Sequence, residues 1–150
     1  MNVLGEIKKS LWNGRMAHAY ILEAPAGETR DRLMTNILQE ILCRNPDLEQ
    51  RPCGLCEACR RVAAGSHEDV IYMKKSKLEE GKTKTNKVTY VMKDTEPFMD
   101  RLRLNPYGER NIGVIPDADD LKEDVQNKIL KTLEEPYPGT VFFLVAENRN

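Results

Sequence analysis

Short apolar runs suited to buried strands alternate with stretches of helical periodicity along most of this chain, and that alternation leaves few folds open. Ala19 to Glu23, Asp69 to Met73, Asn111 to Ile115 and Val141 to Ala146 are the strand-like runs. Among the helical stretches, Val3, Leu4, Ile7, Leu11 and Trp12 share one spacing, stopped by Asn13-Gly14. Leu33, Met34, Ile37, Leu38, Ile41 and Leu42 form a second stripe that ends around Cys43. A third helix is expected from about Thr95 to Leu104 with Pro97 in its first turn, where a missing N–H costs little. A fourth runs from Leu121 to Glu135, with Val125, Ile129, Leu130 and Leu133 inward and Pro136 as its stop. Strands separated by helices pair in parallel through crossovers, so the expected class is α/β, a parallel sheet flanked by helices. The polar stretch from Lys74 to Lys87 is the exception, an exposed hairpin or loop. At 150 residues the chain fits one domain, residues 1–150. It stops directly after an apolar strand with no closing helix, as expected of a C-terminally truncated domain.

Four cysteines, Cys43, Cys53, Cys56 and Cys59, are confined to one short segment. The last three stand at intervals of three, and Gly54 permits a tight turn between the first two of them. Four thiolates enclose zinc tetrahedrally and leave no position for water, so a zinc site here is structural. We therefore expect an inserted zinc module over about residues 43–62, with Arg51, Arg60 and Arg61 offsetting its negative charge. Packed reduced thiols, a redox pair and an iron–sulfur cluster are the other readings of such spacing. His67 competes with Cys43 as fourth ligand, and Cys43 is the favoured choice because a lone histidine is more often structural.

The stretch ILEAPAGETRDRLM, Ile21 to Met34, has the outline of a phosphate-binding loop without its working parts. Such a loop of the form GxxxxGK[ST] closes backbone N–H groups around phosphates, adds a lysine for the terminal phosphates and a hydroxyl for magnesium. Here those places read Ala24, Thr29, Arg30 and Asp31, with Gly27 inside the loop. A carboxylate about 4 Å from a phosphate charge is repelled by roughly 4 kcal/mol at an effective dielectric near 20. That repulsion weakens binding by about three orders of magnitude. The same carboxylate is favoured by the dipole of a helix N-terminus, so Asp31 is expected to take part of the place of a phosphate. An ordinary strand-to-helix turn reads the same way on this stretch alone. Further on, Asn111 to Asp119 stands where a nucleotide hydrolase places a strand ending in paired acids, but Pro116 and Asp117 fill those two positions.

The order of parts resembles the N-terminal domain of bacterial clamp-loader subunits, an AAA+ family of P-loop NTPase-like fold. The resemblance rests on MAHAYILEAPAG, CGLCEACRRVAAGSHEDV, LNPYGERNIGVIPDADDL and NKILKTLEEPYPGTVFFLVA, and it covers nearly the whole chain. The cysteine segment inside the first βα crossover, with Cys43, Cys53, Cys56 and Cys59, is the feature that separates bacterial clamp loaders from most other AAA+ proteins. Members that hydrolyse ATP, the gamma and tau subunits, keep the lysine, the hydroxyl residue and the acidic pair. This chain has Arg30, Asp31, Pro116 and Asp117 in those places, and Ala146 where active members carry a polar sensor residue. The resemblance thus implies a non-hydrolysing subunit of DNA polymerase III, with no catalytic residue and no bound ATP. It would be a rigid stator beside gamma or tau and delta in a hetero-oligomer that places the sliding clamp on DNA. Two other readings compete: a gamma/tau-like ATPase in which Arg30 replaces lysine, and a stand-alone zinc-containing nucleic-acid-binding module.

Charge adds little to the nucleic-acid case. The net charge is -1, and although Lys74 to Lys87 holds six lysines against Glu79 and Glu80, it lacks interleaved arginines or stacking aromatics. A solvated loop is the favoured reading, and primer-template DNA is expected to be met indirectly or weakly. No apolar run approaches a membrane span and the N-terminal stretch mixes charges into its apolar residues, so a cytoplasmic protein without a membrane partner is expected.

Overall fold

A computed structural model describes residues 3–81 and 83–147. The chain divides into two compact units, one taking residues up to Ala17 together with Ala24–Glu68, the other taking His18–Glu23 together with the chain from Asp69 onward.

The second unit holds the sheet. Strands β1 (Ala19–Glu23), β2 (Val70–Tyr72), β5 (Asn111–Ile115) and β6 (Thr140–Ala146) lie in the order β1-β6-β5-β2 and are all parallel. Phe142 stands opposite Ala19 on one side of β6 and opposite Gly113 on the other. All five residues of β5 are buried, as in a parallel strand covered on both faces. Helix α4 (Met92–Arg103) packs on β2 and β5, and its partner α5 (Glu123–Glu134) packs against α4. Gly113 allows the close approach, because a Cβ there would meet Leu102 Cδ1 at 2.8 Å and Phe98 Cζ at 3.0 Å. Phe98 meets Phe142 edge-on at 6.2 Å, inside a core shared with Tyr90, Met99, Ile115 and Ile129.

Two helix expectations need correction. Helix α4 begins at Met92 rather than near Thr95, because the Asp94 carboxylate accepts the Val91 N–H at 2.9 Å and closes the first turn there. Pro97 consequently lies inside the helix, on an exposed position, rather than in its first turn. In α5, Val125 and Ile129 are buried and Leu133 packs against the core, but Leu130 is 56% exposed and faces outward. The polar stretch forms an antiparallel hairpin, β3 (Ser76–Glu80) and β4 (Thr83–Thr89), a two-stranded sheet of its own. Lys82, counted among its six lysines, lies outside the described residues.

The first unit is helical. Helix α1 (Val3–Trp12) buries Ile7 and packs on α2 (Glu28–Leu42), which packs in turn on the short α3 (Glu57–Ala63). Helix α1 stops at Gly14, whose φ of 66° lets Arg15 N donate to Ser10 O at 2.9 Å. Trp12, assigned to the apolar stripe, is 66% exposed. No helix among the described residues is long and apolar enough to cross a membrane.

Candidate metal centre and phosphate loop

Helix α2 carries Cys43 at its C-terminal end, and α3 carries Cys56 as N-cap with Cys59 one turn in. Between them the chain makes a single 3-10 turn, Leu48–Gln50, and returns so that Cys53 lies beside Cys43. The four Sγ atoms lie within 4.8 Å of one another, and all four thiols are free. Tetrahedral zinc with Zn–S near 2.3 Å needs sulfurs about 3.8 Å apart, so a small contraction suffices. Main-chain N–H groups already point at the sulfurs: Asn45 and Cys53 donate to Cys43 Sγ at 3.5 and 3.4 Å, Cys56 to Cys53 Sγ at 3.2 Å, and Cys59 to Cys56 Sγ at 3.4 Å. Gly54 makes the turn between Cys53 and Cys56 with φ 75°. Such donors favour thiolate over thiol, which is the form a metal requires.

Burial and hydrogen bonding act unevenly on three of the thiols. Burial opposes ionisation of Cys56, but the N–H groups of Arg44 and Cys59 outweigh it and bring the thiol down to about 6. Burial pushes Cys59 up to about 12. The N–H groups of Leu55 and Cys56 lower Cys53. An all-sulfur donor set with converging N–H groups fits a soft or borderline cation such as zinc. His67 is not part of the cluster, which brings Cys43 to the other three instead. Two of the three arginines expected beside it have other direct partners: Arg51 reaches main-chain carbonyls and Arg61 reaches Glu57 and Glu68.

The loop residues Ala24 to Gly27 precede α2 in the same unit. Gly27 is the N-cap, with φ 144° and no side chain to offer the helix, and Thr29, Arg30 and Asp31 form the first turn. Arg30 is buried to 8% exposure, and its guanidinium donates back to Ala24 O at 3.4 Å. Asp31 lies exposed in that first turn, at the N-terminal end of α2. Arg30 is the side chain that reaches the loop, because its longer stem can fold back over the turn.

In the second unit, β5 exits through Pro116 into Asp117 and the turn Ala118–Asp120. A cation from the chain itself meets these acids: Lys75 Nζ lies 2.9 Å from Asp117 Oδ2 and 2.6 Å from Asp120 Oδ2. The same ammonium is 5.2 Å from the centre of the Tyr90 ring, whose hydroxyl accepts the Asp117 N–H at 3.1 Å. Burial pulls the Lys75 ammonium down, but the carboxylates of Asp120 and Asp117 outweigh it and hold it above its ordinary value. Ala146 ends β6, and Glu147 N donates to Asp119 Oδ2 at 2.7 Å. Lys75 gave no signal in the sequence, because it was one lysine in a run of them.

Comparison with known proteins adds a lineage to this geometry. A family model described as "DNA polymerase III, delta subunit" matches residues 1–150. The chain is 31% identical over 144 residues to the DNA polymerase III subunit delta' of Pseudomonas aeruginosa, covering 93% of this chain and 42% of the relative. It is 34% identical over 133 residues to the Escherichia coli K12 subunit of the same name, covering 89% of this chain and 37% of that one. The chain therefore spans about two-fifths of the length of these curated relatives. A crystal structure of a DNA polymerase III gamma subunit-related protein from Thermotoga maritima shares the fold, with a TM-score of 0.60 at 17% identity over 97% of this chain and 40% of that one.

Proposed function

Because the chain belongs to the DNA polymerase III, delta subunit family, we propose that it is the N-terminal part of a clamp-loader subunit that neither binds nor hydrolyses ATP. It acts as a stator in a hetero-oligomer with gamma or tau and delta subunits, helping to place the sliding clamp on primer-template DNA for the polymerase. The observation that carries this reading is the end of β5. Pro116 offers no ligand, and Asp117, the acid beside it, is already paired with Lys75 at 2.9 Å. A magnesium ion entering there would have to displace a cation held by two carboxylates and an aromatic face. The turn of Arg30 onto Ala24 O supports the same reading, since that guanidinium is already engaged with the loop.

The four cysteines complete the proposal. Cys43, Cys53, Cys56 and Cys59 hold a structural zinc ion, and zinc, when bound, ties the end of α2 to the start of α3 with no open coordination position. Titration of the chain with ATP and magnesium tests the silent reading. The expected result is neither saturable binding in the micromolar range nor phosphate release. Micromolar affinity or steady hydrolysis would instead make the chain a gamma/tau-like ATPase.

A further inference from the structure

Glu40 is fully buried in α2, and neither of its carboxylate oxygens has a hydrogen bond among the described residues. Its ion-pair partner is Lys8 of α1, with Nζ at 3.2 Å from Oε1. The same Nζ donates to the main-chain oxygen of Arg51 at 2.8 Å. The side chain of Arg51 turns the other way, onto the end of α2. Its Nε donates to Asn45 O at 2.9 Å, and its Nη1 lies 3.4 Å from Glu40 O and 3.3 Å from Ile41 O. Those last-turn carbonyls lack helical partners, so a guanidinium there is favoured both by hydrogen bonding and by the helix dipole.

The position of this network is informative. Cys43 follows Glu40 by three residues on α2, and Cys53 follows Arg51 by two. Arg51 is held at its carbonyl by Lys8 and at its guanidinium by Asn45 and the last turn of α2, so the returning chain is fixed just before Cys53 N–H reaches Cys43 Sγ at 3.4 Å. A buried carboxylate is costly unless its charge is matched, and a helix–helix contact alone would be served better by an apolar residue. Its placement one helical turn from a thiol of the metal centre gives the charge a purpose.

We propose that Lys8, Glu40 and Arg51 form a clasp that positions Cys43 and Cys53 for metal, so that zinc affinity depends on side chains that never touch the ion. The proposal rests on the reading of the four cysteines as a zinc centre. Partners of this kind typically account for 10- to 100-fold in metal affinity.

The test uses the whole 150-residue chain, with zinc affinity measured by competition against a chromophoric chelator and cobalt(II) absorption as a geometric probe. Arg51→Gln is expected to weaken zinc by roughly 10- to 100-fold. The cobalt bands should stay at tetrahedral all-sulfur positions, because the four ligands are intact. Arg51→Lys is not expected to rescue the loss, since an ammonium cannot span the three carbonyls as the planar fork does. Lys8→Met should weaken zinc by a smaller factor, and combined with Arg51→Gln it should cost less than the two losses added, as expected of members of one network. Unchanged zinc affinity in folded Arg51→Gln and Lys8→Met chains would overturn the clasp alone. If Arg51→Gln fails to fold, the double variant Lys8→Met with Glu40→Leu decides, because it opens the clasp without leaving a buried carboxylate unmatched. An unaltered chain that takes up neither zinc nor cobalt would sink the metal reading, and the clasp with it.

Discussion

Lys75 is a single cation held between two acids at the end of a strand. Two carboxylates at 2.9 and 2.6 Å surround its ammonium, which is 22% exposed, so part of the attraction escapes screening by water. Because the folded ammonium is held above its ordinary value, its contribution to stability is fully present below about pH 10.5 and is lost as the pH rises through the folded value. Lys75→Met should therefore destabilise the chain by about 1 kcal/mol at pH 7, the upper range for partly exposed pairs. The difference in urea midpoint between parent and variant should shrink between pH 9 and pH 11.5. A gap that stays constant or widens over that range would show that the ion pairs contribute nothing and that the methionine disturbs packing instead. Asp69 illustrates the complementary case, a buried acid whose oxygens accept the Tyr107 and Gly108 N–H groups at 2.8 Å each and so shape the loop after α4. Its charge is matched by Arg101 at 3.7 Å.

Among the elements, the contact of α4 with β5 turns on the missing side chain at Gly113. A methyl group there would press on Leu102, Phe98 and Phe142 at 2.8 to 3.2 Å, all of them buried in the core. Gly113→Ala should cost about 1 to 3 kcal/mol, the usual range for overpacking. Guanidinium denaturation reads this as a lower midpoint with an unchanged slope. A neutral or stabilising result would mean that α4 slides freely on the sheet. The strands and the helix stripes were legible in the sequence, because a parallel sheet demands apolar runs and its covering helices demand a period near 3.6. The start of α4 was not, because Val91 is no ordinary N-cap and the signal came from Asp94 three residues later. Leu130 fits the stripe by spacing alone, and only packing against α4 and the sheet decides that Ile129 points inward while Leu130 does not. The cysteine cluster was legible as a set because its ligands are close in sequence. Lys8, Glu40 and Lys75 were not, since each acts through a partner 32 or more residues away.

On the scale of the whole chain, the cysteine segment and the sheet are held by different forces, although the first unit also buries Ile7, Ile37, Leu38 and Ile41. The second unit has a continuous apolar core, with Tyr90, Phe98, Met99, Leu102, Ile115 and Phe142 nearly or wholly buried. The cysteine segment of the first unit is held otherwise, by short N–H contacts to sulfur, by the Arg51 clasp and, on the present reading, by zinc. Metal binding to such a segment is linked to its folding, so removing the metal should release it locally. After treatment with a strong chelator, hydrogen exchange should accelerate in residues 43–63 while β5 and β6 keep their protection. The separation follows from where that apolar core lies: all its residues belong to the second unit, and the cysteine segment contributes no member to it. Uniform loss of protection along the chain would instead mean that one cooperative transition embraces both units and that zinc contributes to the stability of the sheet itself. Unchanged exchange in residues 43–63 would mean that the clasp and the N–H contacts hold the thiols together without any metal.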